Sequence, residues 1–411
     1  VRWIILLLVS VLIPNSAWSQ GRYLFIFDYY HSAINTTSKF NQDNSVFNFE
    51  NSCEVTKFNH QLNYKDVALN WNVLAQSQAF QDGRFEFVLR EIYWQTSLNK
   101  RLDLTIGKQL FRWGTGFYKN PAAFADAPKR TDDLSDRLQN QQGRESVSLS
   151  LFWGDSDFHI LYLPDYAMNE GKLIFHNHEI IFKYYLLLGS MDITALYDYS
   201  ANDKNRFGLT FAYAVNDYLA LQAEWMIQKG SARALHLNTE REQPFQAYQS
   251  SPYTLKPFNN YLMKFLAGFN YTAPYGLNII MEYIYDGEAL SGAQWKNLMK
   301  YADWLTELRK QANFESLASD NLRWIALSLN QQKHYLFYRL SHPLFHRVSL
   351  EWIGVSNLSD DSAVLILASR FILSRTIELN LRSNFFVGDN RSDFGGLFRK
   401  WEVRGGFHLY F

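Results

Sequence analysis

The chain has 411 residues, its 40 Lys and Arg are balanced by 40 Asp and Glu, and 17% of it is aromatic. Zero net charge argues against a nucleic-acid binder, which shows a basic excess. The mean hydropathy is mildly polar, which excludes a bundle of membrane helices, yet 25 Tyr and 12 Trp are the residue types that gather at membrane–water interfaces.

Residues 1–19 read as a signal peptide. Arg2 charges the start, Trp3 to Ile13 form the apolar stretch, and Ala17-Trp18-Ser19 puts small residues before a cut ahead of Gln20. That stretch is too short to span a bilayer, and no later one approaches the ~18 uninterrupted apolar residues that a spanning helix needs. Cys53 is the single cysteine, so no intramolecular disulfide or thiolate metal cluster is expected.

From residue 20 to 411 the chain reads as a single domain of alternating segments. In Ser146–Trp153, Val147, Leu149, Leu151 and Trp153 alternate with serines; Phe207–Val215 and Ile377–Phe385 repeat the pattern. A period of two belongs to a strand with two different faces. The segments run to about 9–15 residues, longer than the ~5–6 of soluble strands and suited to a tilted membrane strand. The fold expected is all-β, a transmembrane antiparallel barrel.

Short turns fall near Asn63-Tyr64, Asn99-Lys100, Gly154-Asp155, Gly189-Ser190, Asn216-Asp217, Pro274-Tyr275, Ser341–Leu344 and Ser374-Arg375. Longer links separate them, the longest at 113–143, 229–257 and 287–321. Strict alternation of short and long gives eighteen strands with both termini periplasmic, provided 324–340 forms one strand. Sixteen results if one weak early segment is not a strand. The last strand, Trp401–Phe411, must pair with the first, Tyr23–Tyr30, because an open edge is too costly in lipid.

Within the 287–321 link, Trp295, Leu298, Met299, Ala302, Leu305 and Leu308 recur at three- and four-residue spacing and predict a helix packed on the barrel's own loops. The 113–143 link follows Arg112 and carries the charged run Lys129, Arg130, Asp132, Asp133, Asp136 and Arg137. A loop this long has a function of its own or is disordered; inward folding as a constriction and an exposed loop are both open.

Gly107-Lys108-Gln109-Leu110-Phe111-Arg112-Trp113-Gly114 resembles the Gly-Arg-Gln…Trp-Gly strand-to-loop motif of alginate-export-like and related porin families, with Lys108 where Arg is usual. The resemblance covers about eight residues. It implies a Gram-negative outer-membrane barrel that passes polar or anionic solutes, and a polysaccharide-export outlet is its close variant. The aromatic ending Phe407–Phe411 resembles the signal read by the barrel assembly machinery.

Turning polar faces inward gives the candidate lining. The bases are Arg90, Arg101, Arg347, Arg370, Arg382 and Arg404, with Asp192, Asp198, Glu224 and Glu282 on a stretch that carries no inward base. An arginine side facing an acidic side would set a transverse field and tune selectivity; interstrand salt bridges are the alternative. No motif elevates a serine, so no catalytic residue is expected. His176 and His178 share a strand face without a third ligand, so neither a metal nor a cofactor is expected. Strand pattern begins almost at the cut, which leaves no room for a receptor's plug. The reading is a porin-like channel in contact with outer-membrane lipid, passing small polar, anionic or carbohydrate solutes. Its rival is a surface adhesion barrel with a closed lumen, and self-association into homo-oligomers is open.

Overall fold

The computed structural model describes residues 19–66, 71–80, 85–127, 141–164, 166–169, 172–175, 178–200, 205–230, 236–237, 253–254, 260–326 and 332–410. The leader up to residue 18 lies outside the described residues, as do Lys129, Arg130, Asp132, Asp133, Asp136 and Arg137.

Eighteen long antiparallel strands follow one another along the chain. The first six are β1 Ser19–Ile34, β2 Ser52–Asp66, β3 Trp71–Phe80, β4 Phe85–Asn99, β5 Leu102–Gln109 and β6 Arg144–Trp153. Next come β7 Ser156–Leu163, β8 Glu179–Leu188, β9 Met191–Ser200, β10 Arg206–Ala214, β11 Leu219–Lys229 and β12 Tyr261–Thr272. The set ends with β13 Asn278–Asp286, β14 His334–Phe345, β15 Val348–Asn357, β16 Ser362–Ile372, β17 Ile377–Val387 and β18 Arg399–Tyr410. Each pairs with its neighbours in sequence. β1 also pairs with β18, from Leu24↔Tyr410 to Ile34↔Arg399, so the sheet closes on itself. Closure leaves no unpaired ladder edge, as a wall in hydrocarbon requires. No described helix is long and apolar enough to cross a membrane.

Alternation decides which face each residue occupies. Leu209, Leu221, Met281, Leu350, Leu381 and Phe407 stand exposed on one face. Thr210, Glu224, Glu282 and Asp28 are buried on the other. An apolar outer belt is stable only in lipid. The tight hairpins turn on residues such as Gly154 (φ +58°) and Gly189 (φ +61°), conformations that a side chain resists.

Two details of the expected strand map are corrected. Residues 324–340 do not form one strand: a helix, Glu315–Ala326, precedes β14, which begins at His334. Within that helix Ala318 and Leu322, four apart, bury one face, so the helical period wins. The turn expected at Ser341–Leu344 lies two residues later, at 346–347, because the ladder continues through Pro343 to Phe345 with a register shift.

The predicted helix of the 287–321 link, α1, spans Gly292–Arg309, and Glu315–Ala326 is α2. Ser291 and Gln294 cap the start of α1 reciprocally. All six residues of its predicted face are buried, against Phe40 and Val46 of the β1–β2 loop and Phe398 of the β17–β18 loop. Asp303 pairs with Lys39 at 2.8 Å and Arg391 at 3.1 Å, one from each of those loops. Burial in this small core pushes the Tyr301 hydroxyl up to about 12.

Candidate functional site

The site begins where β5 stops. Gly107 takes φ +134°, and a Cβ there would collide with the Ile92 carbonyl and lie 2.7 Å from Tyr93 Cα. The chain then leaves the wall and turns through Trp113 and Gly114, whose N–H groups donate to Asp126 at 2.7 and 3.1 Å. Gly107→Val is expected to destabilise the barrel by roughly 2–4 kcal/mol, because it adds both backbone strain and a steric clash; the urea midpoint of the refolded protein reads it.

Beyond this turn two wall carboxylates take over the loop's backbone. Glu224 accepts from the N–H groups of Thr115 (2.6 Å), Gly116 (2.9 Å) and Ala122 (3.1 Å). Glu282 accepts from Phe117 and, at 2.7 Å, Tyr118. Both glutamates are at most 1% exposed. A segment away from any ladder must satisfy its N–H groups elsewhere, and an ionised carboxylate is the strongest available acceptor. Apolar contacts complete the attachment. Ala122 and Phe124 pack on Leu161, Ile181, Leu196 and Met226, and Tyr118 stacks on Phe337 at 5.3 Å. A short segment that touches the same face of strands β7 to β14 does so from the concave side, so residues 111–125 lie within the ring.

Strands β14 to β18 and β1 face a separate space. A cavity of about 570 Å³ is bordered by Arg339, Arg370, Arg382 and Arg404, with Glu351, Glu378, His408 and Tyr410. Arg339 pairs with Glu351, and Arg404 with Asp28. Arg382 donates to Asn384 at 2.8 Å. Arg370 is exposed, and its side chain makes neither an ion pair nor a hydrogen bond among the described residues, its backbone alone being held in the ladder. A second cavity of about 300 Å³ lies between loop and wall, lined by Arg112, Asp126, Gln141, Gln222 and Asn270 among others.

No protein-family model and no curated protein matches the chain. Solved structures do. OccK11 (OpdR) of Pseudomonas aeruginosa superposes with a TM-score of 0.54 over 95% of this chain and 95% of its own, at 7% identity. For OccK5 (OpdH) of the same organism the score is 0.52 over 95% and 97%, at 8% identity. OpdK, solved with vanillate, gives 0.51 over 96% and 98%, at 8% identity. The fold is that of an outer-membrane porin barrel. At such low identity the likeness concerns architecture and carries no residue roles.

The barrel distributes the sequence-predicted lining unevenly. Arg370, Arg382 and Arg404 come together at the large cavity. Arg90 sits at a bulge in β4, its Nε donating to the Gln141 carbonyl at 2.9 Å. Arg101 and Arg347 lie not on strands but in the turns after β4 and β14, since those turns fall one and two residues beyond the expected places. Arg112 is exposed beside the smaller cavity. Asp192 accepts from the Tyr185 hydroxyl, and buried Asp198 is held by Arg206 Nε at 2.7 Å. The acidic stretch was expected to have no inward base; Arg206 and Lys264, which pairs with Glu288 at 2.7 Å, correct that. Both occupy alternation positions of the inner face, a signal already present in the sequence. Arg339 of β14 was not among the expected lining residues, although it falls within the strand expected over 324–340. His178 bonds Tyr162 at 2.9 Å, His176 lies outside the described residues, and no metal-ligand cluster occurs among the described residues.

Proposed function

We propose that this protein is an outer-membrane channel of the Gram-negative type that lets small polar solutes diffuse past an eccentric, arginine-lined passage, with anions favoured. The observation that carries this reading is the division of the lumen. One wall is covered by residues 111–125, and the other borders about 570 Å³ of space with four arginines. Fixed positive charge along a narrow, low-dielectric passage raises the local concentration of anions. Arg370 is the strongest contributor, since no acidic partner offsets it among the described residues. Small carboxylates and acidic saccharides are the solute class that fits this lining; OpdK, solved with vanillate, is a fold neighbour. Export by the 1–19 leader, recognition of the aromatic C-terminal strand by the assembly machinery, and self-association belong to the same reading. No cofactor is needed.

Reversal potentials in a planar bilayer under a salt gradient test it. Anion preference is expected for the unaltered protein, with a shift toward cations in Arg370→Glu and a larger one when Arg382→Glu is added. Absence of conductance would turn the reading to a closed adhesion barrel. Conductance with unmoved selectivity would remove the arginine wall from the account. The export-outlet variant rests on the 107–114 motif alone, which no family model supports.

A further inference from the structure

The hairpin of β6 and β7 brings together three lumen-facing side chains that neither the transport reading nor the sequence reading uses. Its two-residue turn at 154–155 pairs Ser150 with His159, and Asp157 lies two residues before His159 on the same face. Ser150 Oγ is 2.7 Å from His159 Nδ1. On the other side of the ring, His159 Nε2 is 2.8 Å from Asp157 Oδ1. A carboxylate only accepts, so in the neutral imidazole Nε2 carries the hydrogen toward Asp157 and Nδ1 is left to accept from the serine hydroxyl. Lys183, paired in register with His159 on β8, stands 3.4 Å from the same Asp157 oxygen and over the Trp113 ring at 5.5 Å. Nucleophile, base and orienting acid are thus connected in sequence within hydrogen-bond reach, the arrangement that activates a serine for acyl transfer.

We propose that Ser150 is an acyl-accepting nucleophile on the lumen wall that reacts with small activated esters reaching it from the periplasmic mouth. Ser150 lies four residues from the turn, roughly 13 Å along the strand. In the step, Oγ forms a bond to the ester carbonyl carbon while its proton passes to His159 Nδ1. Asp157 holds the imidazolium that results. The ester C–O bond then breaks, and the departing alcohol takes the proton from Nδ1, leaving acyl-Ser150. Water, giving its proton to the same nitrogen, then attacks the acyl carbon; the bond to Oγ breaks, Oγ takes the proton back from Nδ1, and the acyl group leaves as the carboxylic acid. The N–H groups of β6 and β7 are engaged in the sheet ladder, so no pair of them is poised to meet the oxyanion, and Lys183 is the nearest fixed positive charge for it. Oxyanion donors usually contribute the largest share of rate. The chemistry is therefore expected to stop largely at capture, giving one acyl group per chain with slow release.

The refolded full-length chain, treated with p-nitrophenyl acetate and mapped by peptide mass spectrometry, tests this. One acetyl group on Ser150 is expected, absent in Ser150→Ala and retained in Ser148→Ala. His159→Gln should slow acetylation by roughly 100-fold, the contribution of a positioned base, while heat-modified gel mobility confirms that the variant folds. A folded, unaltered protein that leaves Ser150 unacetylated overturns the proposal. So does acetylation of Ser150 at an unchanged rate in His159→Gln, which would mark the three residues as a hydrogen-bonded brace in the wall. Channel conductance in Ser150→Ala is expected to be unchanged, so this test and that of the transport reading stand apart.

Discussion

Replacing Glu224 and Glu282 together by alanine is expected to raise single-channel conductance severalfold. Five N–H groups of the inserted segment, those of Thr115, Gly116, Phe117, Tyr118 and Ala122, donate to these two carboxylates. Hydrogen bonds to charged acceptors are worth about 1.5–3 kcal/mol each, and stranding a buried donor costs about 1–3 kcal/mol. Packing of Phe124 and Ala122 on the wall cannot offset that sum, so the segment's free energy inside the lumen rises above that of its hydrated state. Single substitutions should give a channel that flickers between two levels, because one carboxylate still holds part of the loop. Glu282→Gln, which keeps one carbonyl acceptor but turns an N–H toward the backbone donors, should fall between. Planar-bilayer recordings decide the matter: a doubly substituted barrel of unaltered conductance would mean that this segment does not narrow the passage. The prediction also reassigns two acidic residues. From sequence they belonged to a field acting on solutes; in the fold their charge is spent on the protein's own backbone.

The second large effect is expected at the seam. Asp28 of β1 is 1% exposed and is gripped from β18 by Arg404, with His408 Nε2 3.7 Å away. It fits because residue 406 has no side chain: a Cβ there would collide with Asp28 Oδ1 and lie 2.8 Å from the Phe27 carbonyl. Gly406→Val should therefore prevent β18 from docking, and each ladder group left open to lipid costs several kcal/mol. No folded, heat-modifiable band is expected on a gel. Asp28→Ala removes the buried carboxylate that Arg404 grips and should lower the urea midpoint without abolishing the fold, since the Arg404 side chain is 24% exposed and its charge can be hydrated. A Gly406→Val barrel that forms with the normal midpoint would contradict this account of closure.

The parts of this molecule that obey a period were legible in the sequence. The strands and the buried face of α1 follow from alternation at two and recurrence near 3.6, the count of eighteen from alternating link lengths and the pairing of first with last from the cost of an open edge, and all are present. Positions that depend on one residue more or less were not. Arg101 and Arg347 sit in turns because a hairpin shifted by a few residues moves a side chain from wall to rim. Pro343 suggested an early turn, yet a strand continues through it to Phe345. The last turn of α2, residues 324–326, was read as the start of a strand because a short apolar run fits either period until its partner is known. Contacts made across the lumen lay further from reach. Nothing local marks Glu224 as the acceptor for a segment more than a hundred residues earlier. Ser150 and His159 were nearer to hand: the turn at Gly154-Asp155 was recognised, and counting outward from it pairs them.

The helical cap has a consequence for biogenesis. Its core takes α1 and α2 from the middle of the chain, but the surfaces that cover them, Phe40 and Val46 near the start and Phe398 near the end, come from opposite termini. Those termini meet only when β18 has docked on β1. Until then Trp295, Leu298, Met299, Leu305 and Leu308 have only α2 to pack against, and part of this apolar face stays uncovered in an unfinished chain. The finished barrel hides it. Burial of a few side chains in a distant loop thus waits on closure at one edge of the sheet.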